Sequence, residues 1–335
     1  MTLILGLEGT AWNLSAALVS EAETICEAES TYKPLYGGIH PREAAQHHAS
    51  ELKDVVSRVL RGAEEKVFSL HDINAVAFSQ GPGMGPCLRT VSTAARALSL
   101  SLKVPLIGVN HCIAHIEIGR WRCGTKDPVV LYVSGANSQV LAYRAGRYRI
   151  LGETQDIGIG NALDKFARYL GLSHPGGPKI EELASKGSKY VYMPYVVKGM
   201  DLSFSGLTTA AKDAINLHHH KTEDVCCSFQ ETAFAMLTEV TERAMAHLDK
   251  DELLLAGGVG ANRRLQQMLQ TMCHDREAKF YVPETKYLRD NGTMIAYLGL
   301  LHYKAGDTTP IDKSAVKPNY RPDEVEVTWR EQKQN

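Results

Sequence analysis

No stretch of this chain approaches the ~18 to 20 unbroken apolar residues that a membrane span needs. The opening MTLILGLEGTAW has no basic stretch, and its apolar run stops at Leu7 before an acid, so neither a spanning segment nor a signal peptide is expected. No C-x-x-C pair occurs. The seven cysteines (Cys26, Cys87, Cys112, Cys123, Cys226, Cys227, Cys273) form an odd, scattered set, which reads as cytoplasmic thiols and excludes a secreted disulfide scaffold and a cysteine zinc finger. There is no H-E-x-x-H, the signature of a zinc protease. A basic excess is missing too: 37 Lys plus Arg against 38 Asp plus Glu leave a formal net charge of -1. Phosphate neutralisation supplies most of a stand-alone nucleic-acid binder's affinity, so any nucleic acid here needs a local patch or partner subunits.

What is present is globular usage, 44% hydrophobic and 22% charged, which argues against disorder. The 335 residues are too many for one compact core and suit two domains of roughly 150 residues each. Residues 2–31 read as three short strands, TLILGLEG, NLSAALVS and ETICEAEST, divided by polar or glycine breaks. Residues 128–155 repeat the plan as PVVLYVSG, SQVLAYRA and RYRILGETQ. Sliding one onto the other places Leu3 on Val129, Glu8 on Ser134 and Gly9 on Gly135, which points to duplication of a domain. Helical periodicity covers Ala44–Arg61, Leu88–Leu102 and Cys226–Leu248, with strands at Asn74–Ser79, Val104–Val109 and Glu252–Ala256. Alternating strands and helices predict an α/β fold with mixed sheets. The proline-bearing tail from Gly306 predicts an extended strap over the surface.

His111 and His115 follow a buried strand in VNHCIAHIEIGR. Four apart on a helix, they share a face and can share one metal ion, or they are histidines satisfied at a helix start. Cys112 stands where a zinc protease keeps its general base, so a carboxylate must come from elsewhere. YLRDNGTMIAY offers Asp290 at a turn, where a helix cap is the alternative role. Gly9 and Gly135 sit in the duplicated first turns, where backbone amides can face phosphate oxygens. GGVGANRRL (257–265) ends a strand and opens a helix, a setting for an anion or nucleoside or simply a tight packing turn. Two facing hairpin turns plus a strand–helix glycine loop are the plan of the actin-like, sugar kinase and Hsp70-type ATPase folds.

Seven ordered strings span nearly the whole chain: TYKPLYGGIHPREAAQHH, QGPGMGPCLRTVSTAARAL, VNHCIAHIEIGR, HPGGP, DLSFSGL, GGVGANRRL and DNGTMIAYLG. Together they resemble the universal tRNA threonylcarbamoyladenosine transferase family in its archaeal and eukaryotic form, once labelled O-sialoglycoprotein endopeptidases. The resemblance implies a duplicated, two-lobed actin-like fold: 1–115 with 293–325 as one lobe, 116–292 as the other, and 326–335 as a tail. It implies transfer of threonylcarbamoyl from threonylcarbamoyl-adenylate to the exocyclic amine of the adenosine 3′ of the anticodon, in tRNAs reading A-starting codons. It implies one iron or zinc ion per subunit, held by His111, His115, Tyr132 and Asp290, with Glu8 a further catalytic candidate in the first turn.

The same resemblance places Ser134, Gly135 and Ala136 near the phosphate of the adenylate or of an ATP-like ligand. It places Asp164, Gly177 and Glu181 near the ribose and Asn262 near the base. Asp164 and Glu181 read equally as exposed helix acids on their own surroundings. The family's S-G-G-x-T reads here Ser134-Gly135-Ala136-Asn137-Ser138. Either that second glycine is not needed for its dihedral or the loop is adjusted. The implied partners are tRNA, a small kinase-like subunit that some archaeal relatives carry fused at the C-terminus, and the other small subunits of the KEOPS complex, in the cytoplasm and without a membrane. Two other classes remain in view, an actin-like ATPase assembly module and a metalloprotease.

Overall fold

The computed structural model describes residues 1–34 and 37–330. Its first sheet comprises β1 (Leu3–Glu8), β2 (Asn13–Val19), β3 (Thr24–Thr31), β4 (Ile73–Gly81) and β5 (Leu106–Asn110), in the order β3-β2-β1-β4-β5. The second contains β6 (Val129–Val133), β7 (Ser138–Arg144) and β8 (Arg147–Glu153). After a small ribbon of β9 (Val197–Lys198) and β10 (Asp201–Leu202), it is completed by β11 (Glu252–Ala256) and β12 (Lys279–Tyr281), in the order β12-β11-β6-β7-β8. Each sheet pairs its first three strands antiparallel and its last two parallel to the first. The two halves therefore share one topology, the duplicated actin-like plan.

Ten helices accompany the sheets among the described residues. They are α1 (Pro41–Glu64), α2 (Gly85–Leu102), α3 (His111–Cys123), α4 (Ile159–Tyr169) and α5 (Gly177–Ala184). The others are α6 (Ser205–Asn216), α7 (Thr222–Leu248), α8 (Arg263–Asp275), α9 (Thr285–Leu288) and α10 (Gly292–Ala305). None is long and apolar enough to cross a membrane.

Strand alternation decides which helices cover which face. Leu3, Leu5 and Leu7 join Val55, Val59 and Val91 in a core under α1 and α2. Val129, Leu131 and Val133 join Phe166, Phe229 and Phe234 on the outer side of the second sheet. The opposite faces meet in a shared core that holds Ile4 and Ala77 of the first sheet and Val130 and Tyr132 of the second. Ile113 and Ile116 of α3 and Ile295 and Leu298 of α10 lie in that same core. The strands are buried on both faces, which is why they read as near-continuous apolar runs.

Several element ends lie beyond the periodic stretches. α1 begins at Pro41, whose missing N–H and fixed φ suit the first helical position, and α2 begins at Gly85 with Pro86 next. The tail is extended as expected but not merely superficial: Val325 and Val327 are buried in the shared core. Part of the segment 326–335 expected as a tail, 331–335, lies outside the described residues. All seven cysteines are free, and Cys227 is half-buried while Cys226 is buried.

Candidate active site

α3 starts where it does because Asn110 caps it, its side-chain oxygen accepting from the Ile113 N–H at 3.1 Å. The first helical residue is then His111, and His115 follows one turn on, their rings 4.8 Å apart. The third donor, a carboxylate, arrives from far along the chain. Asn291 caps α10, the Gly292 N–H donates to Ser15 Oγ, and Asn13 Nδ2 donates to the Asp290 carbonyl at 2.8 Å. These bonds pin the Asp290 turn to the first sheet. Asp290 Oδ1 then lies 3.1 Å from His115 Nε2 and 3.4 Å from His111 Nε2.

Glu8, at the end of β1, is wholly buried. Its Oε2 lies 3.0 Å from His111 Nδ1, and its Oε1 accepts both the N–H and the O–H of Thr10, each at 2.7 Å. With both oxygens engaged, Glu8 orients His111.

The electrostatics follow from this packing. Burial alone would lower the His111 imidazole, but Glu8 and Asp290 outweigh it and hold it well above its ordinary value. Burial would raise Asp290, yet His111 and His115 hold it far below the carboxylate range. Burial leaves His115 below its ordinary value, hence neutral, and drives the Tyr132 hydroxyl well up.

His111, His115 and Asp290 offer donor atoms within 4.8 Å of one another. Tyr132 faces α3 from β6, its ring 5.5 Å from that of His115. Its hydroxyl and His115 Nδ1 are buried without any hydrogen-bond partner. Buried polar atoms of folded proteins nearly always have partners, so these are donors that the protein alone leaves unused. Two imidazoles, a carboxylate and a phenol oxygen suit iron or zinc. Cys112 is buried with its thiol raised by burial, so it supplies no base.

The β6–β7 turn lies beside this centre. Gly135 and Ala136 are exposed, and Ser134 Oγ accepts from the Asn137 N–H. The N-terminus of α4 secures the turn from behind: the Gly160 and Asn161 N–H groups donate to the Ser134 and Gly135 carbonyls, and the Ile159 N–H donates to Ser138 Oγ. Ala136 is not among the residues with positive φ, so the expected glycine is not needed there for its dihedral.

Asp164 on α4 accepts from the Gly176 N–H at 2.7 Å and lies 3.2 Å from His174, which fixes the loop leading to Gly177 at the start of α5. Glu181 and Asn262 are drawn together from opposite sides of one loop. Glu181 accepts from the Arg263 N–H, while Asn262 caps α8 through the Arg264 and Leu265 N–H groups and donates to Gln230. Both side chains shape the glycine loop as well as lining it.

Sequence reasoning did not single out Thr10, Asn13 or Gln230. Thr10 had a signal, two residues past an acid in a glycine turn. Asn13 and Gln230 had none, since their partners lie far away in the chain. From the first turn, Trp12 reaches His174 across the lobes, ring centroids 5.3 Å apart.

Comparison with known proteins agrees with this architecture. The family described as tRNA N6-adenosine threonylcarbamoyltransferase matches residues 22–297. The chain is 66% identical over 329 residues to the tRNA N6-adenosine threonylcarbamoyltransferase of Methanococcoides burtonii, covering 98% of each. It is also 66% identical over 328 residues to a Methanosarcina barkeri protein named as a probable bifunctional tRNA threonylcarbamoyladenosine biosynthesis protein, spanning 98% of this chain and 60% of that one. Among solved structures, HypF of T. kodakarensis superposes with a TM-score of 0.66 at 14% identity, over 91% of this chain and 48% of that one, a likeness of fold alone.

Proposed function

The chain belongs to the tRNA N6-adenosine threonylcarbamoyltransferase family, and on that premise we propose a specific reaction. It moves threonylcarbamoyl from threonylcarbamoyl-adenylate to the exocyclic amine of the adenosine 3′ of the anticodon, in tRNAs reading A-starting codons. The observation that carries the reading is the meeting of His111, His115 and Asp290 with the unpartnered Tyr132 hydroxyl, beside the turn that exposes Gly135 and Ala136.

An adenine amine is a poor nucleophile, because its lone pair is delocalised into the ring. Catalysis therefore rests on positioning the mixed anhydride and on stabilising a developing oxyanion. An iron or zinc ion held by His111, His115, Tyr132 and Asp290 would supply Lewis-acid polarisation and a template. Gly135 and Ala136 present an exposed turn to the adenylate phosphate, and the Gly176–Gly177 turn, fixed by Asp164, faces the ribose. Asn262 and Glu181 hold the glycine loop on the base side. Glu8 holds the Nδ1 proton of His111, so the proton that an ion would displace is the one on Nε2. In the transfer the amine nitrogen bonds to the carbamoyl carbon, the bond to the adenylate phosphate oxygen breaks, AMP leaves, and the amine loses a proton to solvent.

We assign the chain to a multi-subunit assembly containing a kinase-like protein. The name of its bifunctional Methanosarcina relative, of which it spans only 60%, supports a second activity joined to this one. The test is incubation of the protein and its partners with the adenylate and a tRNA reading A-starting codons, followed by nucleoside analysis. The modified nucleoside is expected, and it is expected to vanish when the target adenosine is replaced by inosine, which lacks the amine. Equal modification of both tRNAs contradicts the proposal.

A further inference from the structure

The sequence carries two basic clusters, Arg120, Arg122 and Lys126 after the histidine pair and Arg263 with Arg264 at the start of α8, and their members do not behave alike. Arg120 is engaged with Glu117, Arg264 with Glu231, and Arg122 reaches Glu284 at 2.7 Å. Arg263 is exposed, and although Glu181 accepts from its backbone N–H, among the described residues no carboxylate lies within ion-pair distance of its guanidinium. The same holds for Lys286 and Arg289, in the segment that leads to Asp290.

Arg122 and Arg263 line one open groove of about 890 Å³. One wall is the face of α8 bearing Gln266, Gln267 and Gln270; the other carries Phe280 and Tyr281 at the β12 edge. Chain geometry ties the groove to the site. Arg122 lies seven residues after His115 on the same face of α3, roughly 10 Å along the axis. Glu284, on the groove's rim, is followed six residues later by Asp290.

We propose that this groove holds a single-stranded stretch of the acceptor tRNA, its phosphates against Arg263 and its bases against the aromatic and amide wall. The inference rests on tRNA being the substrate. A chain with a net charge of -1 has no global attraction for a polyanion, so a strand must be met by local cations lacking carboxylate partners. Glutamine amides donate to and accept from base edges without charge, and aromatic side chains stack on any base. Among the described residues Glu284 is the one carboxylate residue lining the groove, and Arg122 pairs with it.

The test uses exposed positions outside the catalytic centre. Gln267 and Gln270 are exposed and make no side-chain hydrogen bond among the described residues. Glu and Lys have nearly the helix propensity of Gln, so opposite charges can be introduced without disturbing α8. Transfer is measured against tRNA concentration with the complete set of partners. The Gln267→Glu/Gln270→Glu pair is expected to raise the KM for tRNA roughly tenfold, with kcat and the KM for the adenylate unchanged. The Gln267→Lys/Gln270→Lys pair is expected to lower it. Arg263→Ala is expected to reduce the log–log salt slope of tRNA binding by about one.

An unchanged KM for tRNA in both pairs, or a shift of both in the same direction, overturns the proposal. So does loss of a protein subunit from the Glu pair while tRNA binding by the chain itself stays constant. If the wild-type assembly transfers nothing, the functional reading fails, and filter binding of tRNA to the same variants still decides the groove.

Discussion

Glu8→Gln isolates the part of the centre that works through hydrogen-bond direction. In the native arrangement the imidazole of His111 donates from Nδ1 to Glu8 Oε2 at 3.0 Å and, held protonated, turns its Nε2–H toward Asp290 at 3.4 Å; an ion would displace that second proton and take the Nε2 lone pair. The second oxygen of Glu8 takes two donations from Thr10 at 2.7 Å. An amide of the same shape cannot satisfy both sides. If its oxygen keeps Thr10, its NH₂ faces His111 Nδ1, which must then accept, and the imidazole proton moves to Nε2, the atom needed for the ion. If the amide turns over, its NH₂ opposes the Thr10 N–H, and an unsatisfied buried donor costs about 1–3 kcal/mol. Loss of such an outer partner lowers metal affinity roughly 10- to 100-fold, or about 1.4–2.8 kcal/mol. Competition with a chelator for Zn(II) measures this directly in the purified chain. Affinity for the ion equal to wild type, with the variant folded, would refute the orienting role of Glu8.

Three further outcomes follow from the same geometry. Tyr132→Phe removes a buried hydroxyl with no partner, so the ion-free protein should gain about 1–3 kcal/mol in denaturant unfolding while its metal affinity falls; a loss of stability contradicts this. His48 is fully buried with neither ring nitrogen bonded, and burial depresses its imidazole from 6.5 to about 4. The unfolded chain takes up that proton as pH falls through 6.5 whereas the folded chain resists until about 4, so stability is lost on acidification, about 3 kcal/mol across the window. His48→Leu should flatten this acid limb, and an unaltered stability–pH slope would count against the assignment. In Gly6→Ala the added methyl would lie 2.3 Å from the Ala296 nitrogen, pushing α10 off the first sheet. Overpacking of this kind costs typically 1–3 kcal/mol, and because α10 follows Asp290 directly, metal affinity should drop with it; a Tm within a degree of wild type contradicts the close packing.

The duplication was legible because the strands are buried on both faces and keep one topology. The offset that put Leu3 on Val129 aligns the first residues of β1 and β6. The histidine pair was equally legible, since i and i+4 on a helix need no tertiary knowledge. Its meeting with Asp290 was not, because that depends on α10 docking through close approaches at Gly6, Gly292 and Gly299, contacts that no local pattern announces. Asn262 illustrates a different limit. An asparagine ahead of a helix is a capping signal, and in the fold its oxygen is committed to the Arg264 and Leu265 N–H groups, a role that the nucleotide reading had overlaid. The charge balance predicted local basic patches but could not tell Arg263, which stays free, from its neighbour Arg264, which pairs with Glu231. That distinction is made by which face of α8 meets α7.

The central claim, that the pocket of His111, His115, Tyr132 and Asp290 is the centre of threonylcarbamoyl transfer, is tested most directly by metal titration of the transfer reaction. The chain is stripped of metal by a chelator, combined with its partners, the adenylate and tRNA, and supplied with increasing iron(II) or zinc. The account predicts that modification of the tRNA adenosine returns in proportion to metal bound and saturates at one ion per chain, and that the His111→Ala variant neither binds the ion nor recovers. Full transfer by the stripped protein, or recovery of the His111→Ala variant with added metal, would contradict it.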